Sequence, residues 1–253
     1  MDEVRTLNDP ISRTEVREGM RVDWDVPITM DDGLVLRANV YRPDDDGQYP
    51  VVMSHGPYGK DLHFEEIYQT CWDLMCENHP DVPAGSTNIH QSWEVCDPEK
   101  WVPRGYAIVR VDSRGAGRSP GYLEHFSPRE TQDFAACIEW GGVQPWSNGK
   151  VGLSGISYYA VNQWQVAALK PKHLAAICPW EGFNDFYREL THHGGIYSSF
   201  QRHWYDKQIM PIQHGYGDRG WRSRANSEWA AGPDTLPDEE LAANRFDLHG
   251  DFV

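Results

Sequence analysis

From Met20, apolar and polar residues alternate through "MRVDWDVPITMDDGLVLRANVYRP" on both sides of Asp31-Asp32-Gly33. A period of two around a turn suited to positive φ predicts a β-hairpin. Short apolar runs at residues 50–54 and 106–111 each end in a glycine-containing loop, the pattern of buried strands that deliver loops. In "PRETQDFAACIEWGG", Phe134, Ala135, Cys137 and Ile138 make one helical face, closed by Gly141-Gly142. Asn148-Gly149 turns the chain into a strand through "KVGLS". Val161, Trp164 and Ala168 then recur at helical spacing until Lys170-Pro171 stops the helix, and "LAAICPW" is the next strand. Strands alternating with helices at these lengths predict right-handed crossovers and a parallel sheet with helices on both faces. Residues 1–20 lack a clear period and read as a surface arm, and residues 60–100 as a long insertion with some helix. Past Trp180 the chain turns aromatic and polar with helical character, and no further buried strand is evident. There are no internal repeats.

Composition narrows the class. A chain of 253 residues, 40% hydrophobic, can bury the core of one large α/β domain. A net charge of −15 excludes a basic nucleic-acid surface and disfavours an anionic membrane. No apolar run reaches membrane-spanning length. The acidic, polar start "MDEVRTLNDP" carries no signal-peptide pattern. Five cysteines, Cys71, Cys76, Cys96, Cys137 and Cys178, are odd in number and lack C-x-x-C pairing, which favours free thiols over disulfides or zinc. A soluble cytoplasmic protein is the expectation. The eleven tryptophans serve either as core or as the lining of a pocket for flat apolar groups.

The chemistry centres on "GLSGISYYA", residues 152–160, which follows G-x-S-x-G up to its last position, where Tyr159 replaces glycine. A nucleophile elbow needs small neighbours, because its strained strand-to-helix turn presses on adjacent elements. Gly155 meets that need on one side and Ala160 on the other. The Tyr158 N–H at the helix start suits a developing oxyanion. Taken alone, the motif equally fits an ordinary turn that contains a serine. "HGPYGK" follows the strand at 50–54, where such folds place a second oxyanion donor, either a backbone N–H or the Tyr58 phenol; His55 and Tyr58 could equally pack the loop. Gly115, Gly117 and Gly121 in "DSRGAGRSPG" miss the dinucleotide spacing, and no phosphate-binding loop occurs, so no cofactor is expected. Asp112 and Arg114 are expected to brace this loop by an ion pair.

Three stretches, "DSRGAGRSPG", "IEWGGVQPWSNGKVGLSGISYYA" and "QWQVAALKPKHLAAICPWEGFNDFYRE", together resemble the CocE/NonD hydrolases, which include cocaine-esterase-like and Xaa-Pro dipeptidyl-peptidase-like serine hydrolases. The similarity runs from Val22 to about Tyr205. The family elbow, G-x-S-Y-x-G, has its second small residue three places after the serine, where Ala160 stands. The resemblance implies an α/β-hydrolase fold, with residues 21–180 as the amino-terminal half of its core and 181–253 as part of a helical cap. It also implies Ser157 as nucleophile, with the Tyr158 N–H and the Tyr58 hydroxyl as oxyanion donors. Trp180, Phe183, Phe186, Tyr187 and Trp204 are candidates to line the substrate pocket, or else to fill the cap core.

In α/β-hydrolases the acid and base follow the serine along the chain, each after a later strand. Asp247, His249 and Asp251 in "FDLHGDFV" follow no convincing strand, nor do His192 and His193. His192, His193 and His203 read as polar cap residues in preference to a metal site. The acid and base are therefore expected beyond these residues. The reading is a serine hydrolase of a small ester or peptide-like substrate; the alternative is a non-catalytic module that keeps the fold for binding. A homo-oligomer is compatible with either.

Overall fold

The computed structural model describes residues 12–235 together with Pro237, Glu239 and Leu241. Its main sheet holds β1 (Arg13–Arg17), β2 (Met20–Thr29), β3 (Val35–Arg42), β4 (Tyr49–Gly56), β5 (Ala107–Asp112), β6 (Ser147–Ile156) and β7 (Leu174–Trp180). Their order is β1-β2-β3-β5-β4-β6-β7. The β1–β2, β2–β3 and β3–β5 pairs are antiparallel, and β5–β4, β4–β6 and β6–β7 are parallel. All strands but β1 and β3 therefore point the same way, giving the mostly parallel sheet that the alternating pattern predicts.

The β2–β3 hairpin turns at Asp31-Asp32-Gly33, with Gly33 at φ +85° and its N–H donating to Met30 O at 3.0 Å. Residues 13–17, which read as part of an arm, form edge strand β1 instead, pairing Arg13 with Trp24 through Arg17 with Met20. Backbone hydrogen bonds hold this strand and Val16 stays exposed. An edge strand that buries little shows little hydrophobic period.

Helices cover both faces. On one, α4 (Pro128–Gly142) and α5 (Tyr158–Ala168) pack through Phe134, Cys137, Ile138 and Val166 onto Leu36, Ala38, Val40, Met53, Val109 and Leu153. On the other, Trp24, Tyr41 and Ile108 pack with Val102 and Trp101, at the end of α3 (Pro98–Trp101). Strand β5 is buried along its whole length, as expected of a central strand covered on both sides. The insertion also contains α1 (Phe64–Ile67) and α2 (Gln69–Asn78).

Helix α5 departs from its expected stripe. Val161 is buried, but Trp164 is half exposed and Ala168 faces outward. Asn162 and Gln163 are buried in their stead, each bonded to backbone groups, while Asn162 Oδ1 has no partner among the described residues. Asn162 Nδ2 donates to His55 O at 2.6 Å, and Gln163 Oε1 accepts from Cys178 N at 2.9 Å. Such bonds offset part of the desolvation penalty of burying these amides.

After β7 the chain forms a small hairpin, β8 (His192–His193) with β9 (Ile196–Tyr197), then α6 (Phe200–Trp204) and a series of tight helical turns to Arg219. Trp204, Tyr205, Ile209 and Ile212 join Tyr58, Leu62, Leu123, Tyr158 and Tyr159 in a separate apolar cluster over the carboxyl ends of the strands. No helix among the described residues is long and apolar enough to cross a membrane.

Candidate active site

Ser157 joins β6 to α5 with φ +56° and ψ −113°. A non-glycine residue in this region carries local strain of order 1–3 kcal/mol, which the surroundings must hold. The Ser157 N–H donates to Trp180 O at 3.0 Å and the Ile156 N–H to Glu94 O at 3.1 Å, so the backbone of this turn is held at two points. Ser157 makes no side-chain cap to its own helix, and no described residue hydrogen-bonds its hydroxyl. Tyr158 opens α5, so its N–H has no acceptor within the helix.

The unusual "SYYA" is accommodated by absent side chains. A Cβ on Gly155 would lie 2.3 Å from Tyr159 Cβ, which explains the small residue two places before Ser157. The Ala160 methyl is fully buried and faces Gly182, whose own Cβ would lie 3.2 Å away. The Tyr158 phenol turns away from Ser157 and donates to the buried Glu130 carboxylate, 2.6 and 2.8 Å from its two oxygens. Glu130, in the first turn of α4, also accepts from Phe126 N at 2.7 Å. Burial outweighs these bonds and pushes Glu130 up to about 7.

Tyr58 stands opposite on the loop after β4, edge-on to Tyr158 and Tyr159 at 5.6 and 5.5 Å between ring centres. Its hydroxyl oxygen accepts from Trp204 Nε1 at 2.9 Å. Burial raises the phenol well above 10, so it keeps its proton throughout the working pH range. A buried charge network fixes the loop. Lys60 Nζ lies 2.8 Å from Asp25 and 2.6 Å from Asp61. Asp112 accepts from Lys60 N at 2.6 Å and from Arg118 N at 2.8 Å, stapling the Tyr58 loop to the "RGAGRSPG" loop. Burial pushes Asp112 up to about 6 although Lys60 opposes it. The expected Asp112–Arg114 pair does not form. Arg114 turns to Asp133 and Asp32, both at 2.8 Å, because the Asp112 carboxylate is already committed to the two backbone N–H groups.

Ser157, Tyr58, Tyr158, Phe183 and Trp204 line one narrow cleft with Phe126, Leu190 and Phe200. Three candidates fall outside it. Trp180 ends edge strand β7 and is 60% exposed; Tyr187 stacks on His192 at 4.3 Å; Phe186 lies in a groove on the outer side of α5. Phe183 and Leu190, their near neighbours in sequence, do reach the cleft, as do Phe200 and Trp204 of α6. Phe126 carries no signal in the sequence. It stacks on Tyr158 at 4.0 Å and comes from the β5–α4 loop, where nothing in its spacing marks it. Glu94, also unmarked, is half-buried beside the Ser157 turn, and desolvation with the neighbouring Glu181 pushes its carboxyl up to about 8. His55 is fully buried and stacks on Phe134 at 4.9 Å, a packing role. His192 and His193 sit on the small hairpin and His203 is exposed. Asp247, His249 and Asp251 lie outside the described residues.

A strained serine at a strand-to-helix junction, over the carboxyl ends of a sheet of this order, defines an α/β-hydrolase. The family model of the X-Pro dipeptidyl-peptidase (S15 family) matches residues 32–243, and the chain belongs to that family. It is 34% identical over 164 residues to a cocaine esterase of Rhodococcus sp. (strain MB1 Bresler), covering 64% of this chain and 24% of the esterase. It is 22% identical over 232 residues to an Xaa-Pro dipeptidyl-peptidase of Streptococcus pneumoniae, covering 76% of this chain and 30% of that protein. A crystal structure of a CocE/NonD family hydrolase from Staphylococcus aureus is 34% identical, with a TM-score of 0.67 over 96% of this chain and 40% of its own. The chain thus spans less than a third of these curated relatives' length.

Proposed function

We propose that this chain carries the nucleophile and oxyanion hole of a serine hydrolase that cleaves an ester or amide bond. The left-handed backbone of Ser157, in a cleft shared with the Tyr58 phenol, is the observation that carries this reading. Ser157 Oγ attacks the carbonyl carbon while a general base removes its proton. The carbonyl oxygen becomes an oxyanion that accepts hydrogen bonds from the Tyr58 hydroxyl and the Tyr158 N–H. Collapse expels the protonated leaving group, and water then releases the acyl group from Ser157. The general base and its acid partner are assigned to parts of the protein outside the described residues, since none of these hydrogen-bonds the Ser157 hydroxyl. The aromatic lining from Phe126, Phe183, Phe200 and Trp204 suits an apolar acyl or leaving group of a small ester or peptide-like substrate. The positive-φ Ser157 and the Tyr58 phenol sharing one cleft favour this reading over a non-catalytic binding module.

The test is labelling of the full-length protein with a fluorophosphonate, with the adduct mapped by mass spectrometry. Modification at Ser157, abolished in Ser157→Ala, is the expected result. Labelling that persists in that variant would remove Ser157 from the role.

A further inference from the structure

Tyr58 has one hydroxyl proton and two lone pairs, whereas an indole N–H can only donate. Trp204 Nε1 is 2.9 Å from Tyr58 Oη, so the tryptophan must be the donor and the phenol oxygen the acceptor. The Tyr58 proton then has to point elsewhere, and among the described residues it finds no acceptor. Both side chains are almost wholly buried, at 4% and 5% exposure, so little solvent reaches the pair. A buried donor with no partner is costly unless something else supplies the acceptor. The cleft that holds Tyr58 also holds Ser157, beside which an oxyanion forms only during reaction.

Trp204 is itself tightly held. Its ring is nearly parallel to that of Tyr158, at 22° and 6.2 Å, and edge-on to His125 at 5.2 Å. It belongs to α6, 146 residues from Tyr58 in sequence. The contact therefore ties the segment after β7 to the oxyanion loop after β4.

We propose that Trp204 is a positioning residue: its indole N–H occupies the acceptor side of the Tyr58 hydroxyl and so directs that hydroxyl's proton at the oxyanion formed on Ser157 attack. This inference rests on the serine-hydrolase reading of the site. Trp204 touches no reacting atom through this bond. It acts by fixing the torsion of the Tyr58 O–H and by polarising it, since a phenol that accepts a hydrogen bond is a stronger donor. Docking of α6 then completes the oxyanion hole as well as walling the cleft.

The experiment replaces Trp204 in the full-length protein by benzothienylalanine, which keeps ring size and shape but has sulfur in place of N–H. Trp204→Phe serves as a second variant, and both are assayed on a p-nitrophenyl ester. Loss of one neutral hydrogen bond corresponds to a fall of about two- to tenfold in kcat, with KM little changed. In a Tyr58→Phe background the isostere should have no further effect, because no hydroxyl remains to be directed. A merely structural or pocket-lining role would instead move KM, or would lower activity equally in both backgrounds; either result overturns the proposal. Unchanged kcat in the benzothienylalanine variant overturns it too, while Ser157→Ala and Tyr58→Phe remain impaired. Full activity in Ser157→Ala would show that the underlying reading has failed, and this inference with it.

Discussion

The ring of Tyr159 occupies the space that Gly56 leaves open: a Cβ on Gly56 would lie 2.7 Å from Tyr159 Cε1. Gly56 ends β4 and Tyr159 lies in the first turn of α5, so this contact joins the strand before the Tyr58 loop to the helix after Ser157. Tyr159 is buried and hemmed in by Gly155 and Tyr58, so it has little room to retreat. Gly56→Ala should destabilise the protein by roughly 1–3 kcal/mol, the usual cost of overpacking. Urea denaturation reads this directly. Adding Tyr159→Leu should restore part of the loss, and an unchanged midpoint in the single variant would show that the ring moves aside freely.

Glu130 gives stability a pH dependence of definite sign. Its carboxyl titrates at about 7 in the fold against 4.5 when free, mainly because it is buried. The folded state thus holds a proton that the unfolded state releases. Unfolding free energy should fall as pH rises through the window from 4.5 to 7, then level off. The group's share is about 3 kcal/mol. Asp112 and Glu94, raised to about 6 and about 8, act in the same direction. The check is therefore the difference between wild type and Glu130→Gln, measured by denaturation at pH 5, near the window's lower edge, and at pH 8, above its upper edge. The variant's pH slope should be shallower; an equal slope would assign the dependence to other groups.

Tyr58→Phe should lower kcat of the full-length enzyme by about a hundredfold or more with KM little moved, because a donor to the oxyanion matters only once charge develops. Steady-state kinetics on a nitrophenyl ester decides it. A phenylalanine variant with near-normal kcat would return Tyr58 to packing.

Local signals and distant ones differed in how far the sequence revealed them. The β2–β3 hairpin, the buried runs of β4 and β5 and the Ser157 turn all announced themselves, because each depends on neighbours a few residues away. The Tyr58 loop was also legible, since it follows a recognisable strand. What remained hidden depends on partners far apart in the chain. Asp112 looks like a partner for Arg114 until the fold brings the Lys60 and Arg118 N–H groups to it. Asn162 and Gln163 look like surface until backbone groups of β4 and β7 bind them. Phe126 reaches the cleft through contacts with residues distant in the chain, Tyr158 and Phe183 among them. Trp180 and Trp204 look alike as aromatic residues after Ser157, yet one lies at the end of β7 and the other beside Tyr58.

The 253-residue chain on its own should show no turnover of a p-nitrophenyl ester above that of its Ser157→Ala variant. A serine hydroxyl without a base keeps the acidity of an alcohol and is a weak nucleophile near neutral pH. The described residues place no hydrogen-bonding partner on Ser157 Oγ. An oxyanion hole lowers the barrier further, but without the base only a residual rate survives. The same chain should also be prone to association. Strand β7 pairs only with β6 among the described residues, and Ile156, Trp164, Leu169 and Trp180 are exposed by 39–60% along that side. An uncovered apolar edge invites pairing with other chains. Size-exclusion chromatography with light scattering should therefore show self-association that Trp164→Ser with Trp180→Ser reduces. Multiple Ser157-dependent turnovers by the isolated chain would prove that a base lies within its own residues, and His249 and His192 would be the first to replace.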